Sequence, residues 1–189
     1  MVIRRDVAVL GASLGGIDAL SRILSGVPES HSGSLLIVLH MSANTPSLAV
    51  EILSKFSRLP VSYAYDDQFI ETGHIYVAPR DRHLIIGETG HLGLKKAPKV
   101  HHSRPAADPL FTSAARFYGE RLIGVVLSGG DGDGAAGLQA IKRSGGLTIV
   151  QHPADAIVPH MPTNAIDNGG ADLSISAEEI GCLLARSAL

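Results

Sequence analysis

The sequence predicts an α/β protein: a three-layer α/β/α sandwich on a mostly parallel, doubly wound sheet, with a small antiparallel hairpin arm. Three observations predict it. Apolar runs of strand length alternate with segments of helical spacing, the signature of parallel strands covered by helices on both faces. One stretch, 73–96, breaks that alternation with short extended runs separated by turn residues. The chain has 189 residues, 45% hydrophobic and 18% charged, which is enough to bury a sizeable core in one domain.

Taken in order, strands are expected at 7–10, 34–39, 61–65, 122–127, 147–150 and 172–175, and helices at 16–24, 46–56, 105–118, 135–144, 162–168 and 177–186. Two helix starts carry recognisable caps: Thr45 before Pro46, and Ser176 before Ala177 with Glu178 and Glu179 in the first turn. The segment GHIYVAPRDRHLIIGETGHLGLKK holds two or three short strands without helical spacing, so it reads as antiparallel hairpins forming an arm on the sheet. The polar, His-rich 97–103 that follows reads as an exposed loop. No repeat, low-complexity tract or linker divides the chain, and 1–189 is expected to be a single domain.

Charge narrows the function classes. Sixteen Lys and Arg against eighteen Asp and Glu give a net charge of -2, without the phosphate-neutralising excess of a nucleic-acid binder. There is no Trp, and aromatics are 4%, so stacking platforms for single strands are also missing. The lone Cys182, in IGCLLA, cannot form an internal disulfide and reads as buried core, in keeping with a reducing compartment. MVIRRDVAVLGAS has too short an apolar run for a signal peptide, and no stretch approaches the about 20 apolar residues of a membrane span, so a cytoplasmic protein without membrane insertion is expected.

The first motif is Gly11-Ala12-Ser13-Leu14-Gly15-Gly16 after the apolar VAVL. As a dinucleotide fingerprint it fails: Ser13 stands at the second glycine position, and His40 ends the second strand where a ribose-binding acid belongs. As a P-loop it lacks the Lys-Ser/Thr pair. As G-x-S-x-G it fits a strand, tight turn and helix that present a serine nucleophile, with a helix-capping role for Ser13 as the alternative. A serine needs a base, and among nine histidines His40 closes the neighbouring strand LLIVLH, where adjacent carboxyl ends form a binding crevice. Alone, His40 would be an ordinary strand-end residue.

A third strand, 122–127, runs into Ser128-Gly129-Gly130-Asp131-Gly132-Asp133-Gly134. Calcium-loop readings fail for want of the third and distal ligands, and a GGxGxD repeat fails as a single copy with its Asp displaced. What remains is a turn that brings one carboxylate over the crevice, as a catalytic imidazole requires. The order Ser13, His40, Asp133 is not that of the α/β-hydrolases, in which the acid precedes the histidine.

These residues resemble the catalytic domain of the CheB-type chemotaxis methylesterases, from about Asp6 to about Ile180. The markers are VAVLGASLGGIDAL, LHM, GHIYVAPRDRHL, SRPAADPLFTSAA, GVVLSGGDGDGAAGLQAIKRSGG and MPTNAIDNGGAD, six in collinear order. The resemblance implies a serine esterase that hydrolyses glutamate γ-methyl esters on the cytoplasmic helices of methyl-accepting chemoreceptors, with glutamine deamidation as a second activity. It implies catalytic Ser13, His40 and Asp133, with Asp131 a solvent-facing turn residue. Leu14 stands where the family has Thr and Gly130 where it has Met; backbone N–H groups at both are expected to form the oxyanion hole. Arg104, in SRPAAD, is expected either to orient substrate or to pair with Asp108.

CheB-type enzymes commonly carry a receiver domain ahead of this one, whereas six residues precede the first expected strand, so phosphorylation in cis is not expected, and the domain is read as constitutive, as regulated by a partner such as a receiver protein in trans, or as turned to another substrate. The alternative is a repurposed domain that acts on another ester or serves as a non-catalytic signalling module. No metal-ligand spacing is present, and no cofactor is expected. His83, His101, His102, His152 and His160 read as surface residues.

Overall fold

The computed structural model describes residues 4–40 and 47–187. Seven strands form one parallel sheet: β1 (Val7–Ala12), β2 (Ser34–Leu39), β3 (Val61–Tyr63), β4 (Ile75–Val77), β7 (Leu122–Val126), β8 (Leu147–Gln151) and β9 (Leu173–Ile175). Their order is β3-β4-β2-β1-β7-β8-β9, and every pairing is parallel. Two further strands, β5 (His83–Ile86) and β6 (Leu92–Lys95), make a separate antiparallel hairpin. Six helices complete the layers: α1 (Gly16–Ser25), α2 (Ala49–Leu53), α3 (Ala107–Tyr118), α4 (Ala135–Arg143), α5 (His160–Asp167) and α6 (Ala177–Ser187).

β1, β2 and β7 read as unbroken apolar runs because helices cover both of their faces. The two-residue pleat sorts their side chains into two cores. Ala8, Leu10 and Ala12 join Leu20, Ile23, Ile180 and Leu184 on the side of α1 and α6; Val9, Leu36 and Val38 join Leu110, Phe111, Leu138 and Ile141 on the side of α3 and α4.

The expected fold is the one observed, with local corrections. Ile75–Val77, expected in the arm, is inserted in the main sheet between β3 and β2; only β5 and β6 form the hairpin. α5 begins at His160, because Pro162 falls in the first turn, where a missing N–H costs no bond. Ser176 caps α6 as expected: its hydroxyl accepts the Glu179 N–H at 3.3 Å while the Glu179 carboxylate takes the Ser176 N–H at 2.8 Å. The expected Thr45–Pro46 cap and Met41 of LHM lie outside the described residues.

Two burial expectations are overturned. Cys182 is exposed, because helical spacing turns Ile180, Gly181 and Leu184 to the sheet and leaves position 182 outside. His83 is 1% exposed; the hairpin folds its ring inward, and Nε2 bonds the Pro98 carbonyl at 2.9 Å. His101, His102, His152 and His160 are exposed.

Candidate active site

From β1 the chain moves through β2, β3 and β4 on one side, then crosses back to place β7 on the other side of β1. The carboxyl ends of β1 and β7 thus form the switch point of the sheet, where open α/β folds keep their crevice. Ser13 and His40 each extend a strand by one residue. Ser13 N–H donates to the Ser128 carbonyl and His40 N–H to the Ala12 carbonyl, both at 2.9 Å. Pleat parity therefore carries both side chains to the face of α3 and α4.

Ser13 is half-buried in a tight turn in which Gly16 N–H donates to its carbonyl at 2.8 Å. It does not cap α1. Gly15 occupies the N-cap with φ +81°, a left-handed conformation that glycine adopts without strain. A Cβ on Gly15 would also meet Ser128 Oγ at 2.5 Å. Leu14 is 69% exposed and Gly130 has open space around it; among the described residues neither N–H has a backbone acceptor. A Cβ on Gly129 would lie 2.9 Å from Ser13 Cβ, so glycine there lets the Ser128–Asp133 turn close over the serine.

His40 lies between two carboxylates. Its Nε2 is 2.7 Å from Asp133 Oδ2, and its Nδ1 is 3.3 Å from Asp131 Oδ2. Asp133 is fully buried yet accepts four hydrogen bonds. Oδ2 takes His40 Nε2 and Ala107 N–H at 2.5 Å, and Oδ1 takes the N–H groups of Asp108 and Gly134, each at 3.0 Å. Ala107 and Asp108 open α3, so the carboxylate also sits at a positive helix end. Burial pushes Asp133 up, but the His40 bond and the two α3 amides outweigh it and hold the carboxyl below its usual range. Because an ionised carboxylate only accepts, the hydrogen bond to Asp133 requires the proton on Nε2.

Two expectations change here. Asp131 does not simply face solvent; its side chain is 33% exposed and directed at His40. Arg104 does not pair with Asp108. Its Nε and Nη2 bind Asp81 Oδ1 at 2.9 and 2.5 Å, and Nη1 binds the Ala97 carbonyl at 2.6 Å, which ties down the 97–103 loop. Asp108 is occupied elsewhere, accepting Gly137 N–H of α4 at 2.7 Å and facing His101 Nε2 at 3.2 Å. His101, Asp108 and Asp133 place one ligand-type atom each within 4.8 Å of one another, but both oxygens of Asp133 already accept two hydrogen bonds, leaving no lone pair for a metal.

Sequence reasoning assigned no role to Ser128, which is fully buried and joins three loops. Its hydroxyl donates to the Leu14 carbonyl at 2.7 Å and accepts Val158 N–H at 2.9 Å, while its own N–H goes to Gln151 Oε1 at 2.9 Å. A serine opening a Gly-rich turn was the available signal. A cavity of about 350 Å³ lined by Ser47, Tyr63, Pro79 and Arg80 lies at the carboxyl ends of β3 and β4.

A parallel α/β sheet with a serine turn and a His–Asp pair at its switch point has the arrangement of a hydrolase site. The chain belongs to the CheB methylesterase family, whose model matches residues 8–184. It is 40% identical over 177 residues to protein-glutamate methylesterase/protein-glutamine glutaminase 2 of Anaeromyxobacter dehalogenans, covering 94% of this chain and 52% of that one. A relative in Leptospira interrogans is 36% identical over 181 residues, with 96% of this chain and 94% of that one covered. The crystal structure of the Thermotoga maritima CheB methylesterase catalytic domain matches with a TM-score of 0.90 at 31% identity, over 95% of this chain and 97% of that one. No helix among the described residues is long and apolar enough to cross a membrane.

Proposed function

We propose that this chain hydrolyses glutamate γ-methyl esters on the cytoplasmic helices of methyl-accepting chemoreceptors, with Ser13 as nucleophile, His40 as base and Asp133 as the acid that orients His40. The observation that supports this most is the His40–Asp133 bond, 2.7 Å long and anchored on the N-terminus of α3, at the strand end beside Ser13. Ser13 Oγ attacks the ester carbonyl while its proton passes to His40 Nδ1, and Asp133 stabilises the resulting imidazolium. The N–H groups of Leu14 and Gly130 receive the oxyanion, each donor contributing about 3 kcal/mol. Collapse of the tetrahedral intermediate breaks the carbon–methoxy bond and releases methanol, which takes the proton from His40, and water then hydrolyses the acyl-enzyme to free glutamate and Ser13.

The same acyl-enzyme would form from a glutamine side chain with loss of ammonia, in keeping with the glutaminase in the relatives' names. The reaction would take place in the cytoplasm. No cofactor takes part in any step of this scheme. The test is methanol release from a methyl-labelled chemoreceptor fragment. Wild-type protein should release it, and Ser13→Ala should fold normally while losing at least about 10⁴-fold in turnover. Full turnover by the variant would overturn the assignment of the nucleophile.

A further inference from the structure

We propose that Asp131 is a positioning residue for this reaction, a second carboxylate that stabilises the His40 imidazolium formed when Ser13 gives up its proton; the inference rests on the Ser13–His40–Asp133 reading above. Two observations carry it. Asp131 Oδ1 accepts the Asp133 N–H at 3.0 Å, a local turn that fixes the carboxylate, and its other oxygen is thereby aimed at His40 Nδ1, 3.3 Å away. The ring itself is 9% exposed and thus held in a poorly hydrated gap between two anions.

In the resting site Nε2–H points at Asp133, and the Nδ1 lone pair faces Asp131 without a bond. As Ser13 Oγ bonds to the ester carbon, its proton moves to Nδ1, which then presents an N–H to a carboxylate. When the intermediate collapses, the carbon–methoxy bond breaks, the Nδ1 proton leaves with methanol, and the attraction ends. An interaction that exists only while the ring is charged lowers the barrier without tightening substrate binding. Among the described residues, the other titratable groups linked to this ring are Asp133 on Nε2, Asp108 behind Asp133, and His101 on the outer oxygen of Asp108.

The test compares Asp131→Asn and Asp131→Ala with wild type, measuring kcat and KM for methyl-ester hydrolysis from pH 5 to 9. Asn keeps the turn acceptor for Asp133 N–H and removes only the charge. If the charge matters, both variants lose kcat roughly tenfold, the modest size expected for a partly exposed pair, with KM within about twofold. Their low-pH limb also moves to lower pH, because one anion fewer disfavours the protonated ring. Full kcat in Asp131→Asn with loss in Asp131→Ala would overturn the proposal and leave a turn role alone. If Asp131→Ala fails to fold, Asp131→Asn decides by itself. Loss of activity in Ser13→Ala alongside an unaffected Asp131→Asn overturns this inference alone, whereas an active Ser13→Ala overturns the reading beneath it.

Discussion

Asp108 and Asp133 each sit on the N-terminus of the helix that the other introduces. Asp133, at the entry to α4, accepts the Asp108 N–H of α3 at 3.0 Å, and Asp108 accepts the Gly137 N–H of α4 at 2.7 Å. This crossing fixes the spacing of α3 and α4 directly beneath His40. It also brings two carboxyl groups into one poorly solvated region, where they shift in opposite directions. Burial and the Asp133 charge push Asp108 up, whereas the donors around Asp133 hold it down, so negative charge stays on the group that bonds His40.

The stability of the fold should fall in acid through Asp133. A carboxyl held below its ordinary value of 3.8 contributes stability that is complete above that pH and is lost as pH falls through the folded value. Urea unfolding between pH 6 and 2 should show a midpoint that drops below pH 4. Asp133→Asn should flatten this dependence and, because an amide N–H would face backbone N–H donors, cost about 2–4 kcal/mol at neutral pH. An acid dependence unchanged in the variant would show that Asp133 is not the group involved.

Asp108→Asn should behave oppositely. A carboxyl raised above 3.8 costs stability as pH rises from the unfolded to the folded value, and an amide removes that cost while its oxygen still accepts Gly137 N–H. The variant should match wild type near pH 3 and become the more stable of the two by pH 7, as read from urea midpoints. A variant less stable than wild type at pH 7 would show that the ionised form is needed.

Gly137→Ala tests the packing under the site. Alanine gains about 1 kcal/mol in helix propensity, yet its Cβ would lie 2.4 Å from Phe111 Cβ and 3.1 Å from Asp108 Oδ1. Phe111 Cβ is attached to the α3 backbone and cannot rotate away, so strain of about 1–3 kcal/mol should exceed the propensity gain. The expected outcome is net destabilisation by urea unfolding together with reduced esterase activity, since Asp108 and Asp133 would shift with α3. A more stable variant would mean that α3 yields easily.

Much of this protein is legible along the chain. β1, β2 and β7 stand out because burial on both faces demands continuous apolar residues, and Ser13, His40 and Asp133 stand out because each follows such a run. Ile75–Val77 does not, since three residues carry no period and its parallel partners in β2 and β3 are distant in sequence. His83 and Cys182 were misplaced for a related reason: a side chain's burial depends on how its hairpin or helix is rotated against the sheet.

The sequence by itself determined the layers, the tight serine turn and the three chemically distinctive residues at strand ends, because local patterning encodes which faces are buried and where the chain must turn. Only the tertiary structure decided that β7 lies beside β1, that Arg104 binds Asp81 instead of Asp108, and that Asp131 faces His40. Those partnerships join residues apart in the chain, 23 positions in the case of Arg104 and Asp81, and they depend on strand order and helix placement, which follow from the packing of the whole core.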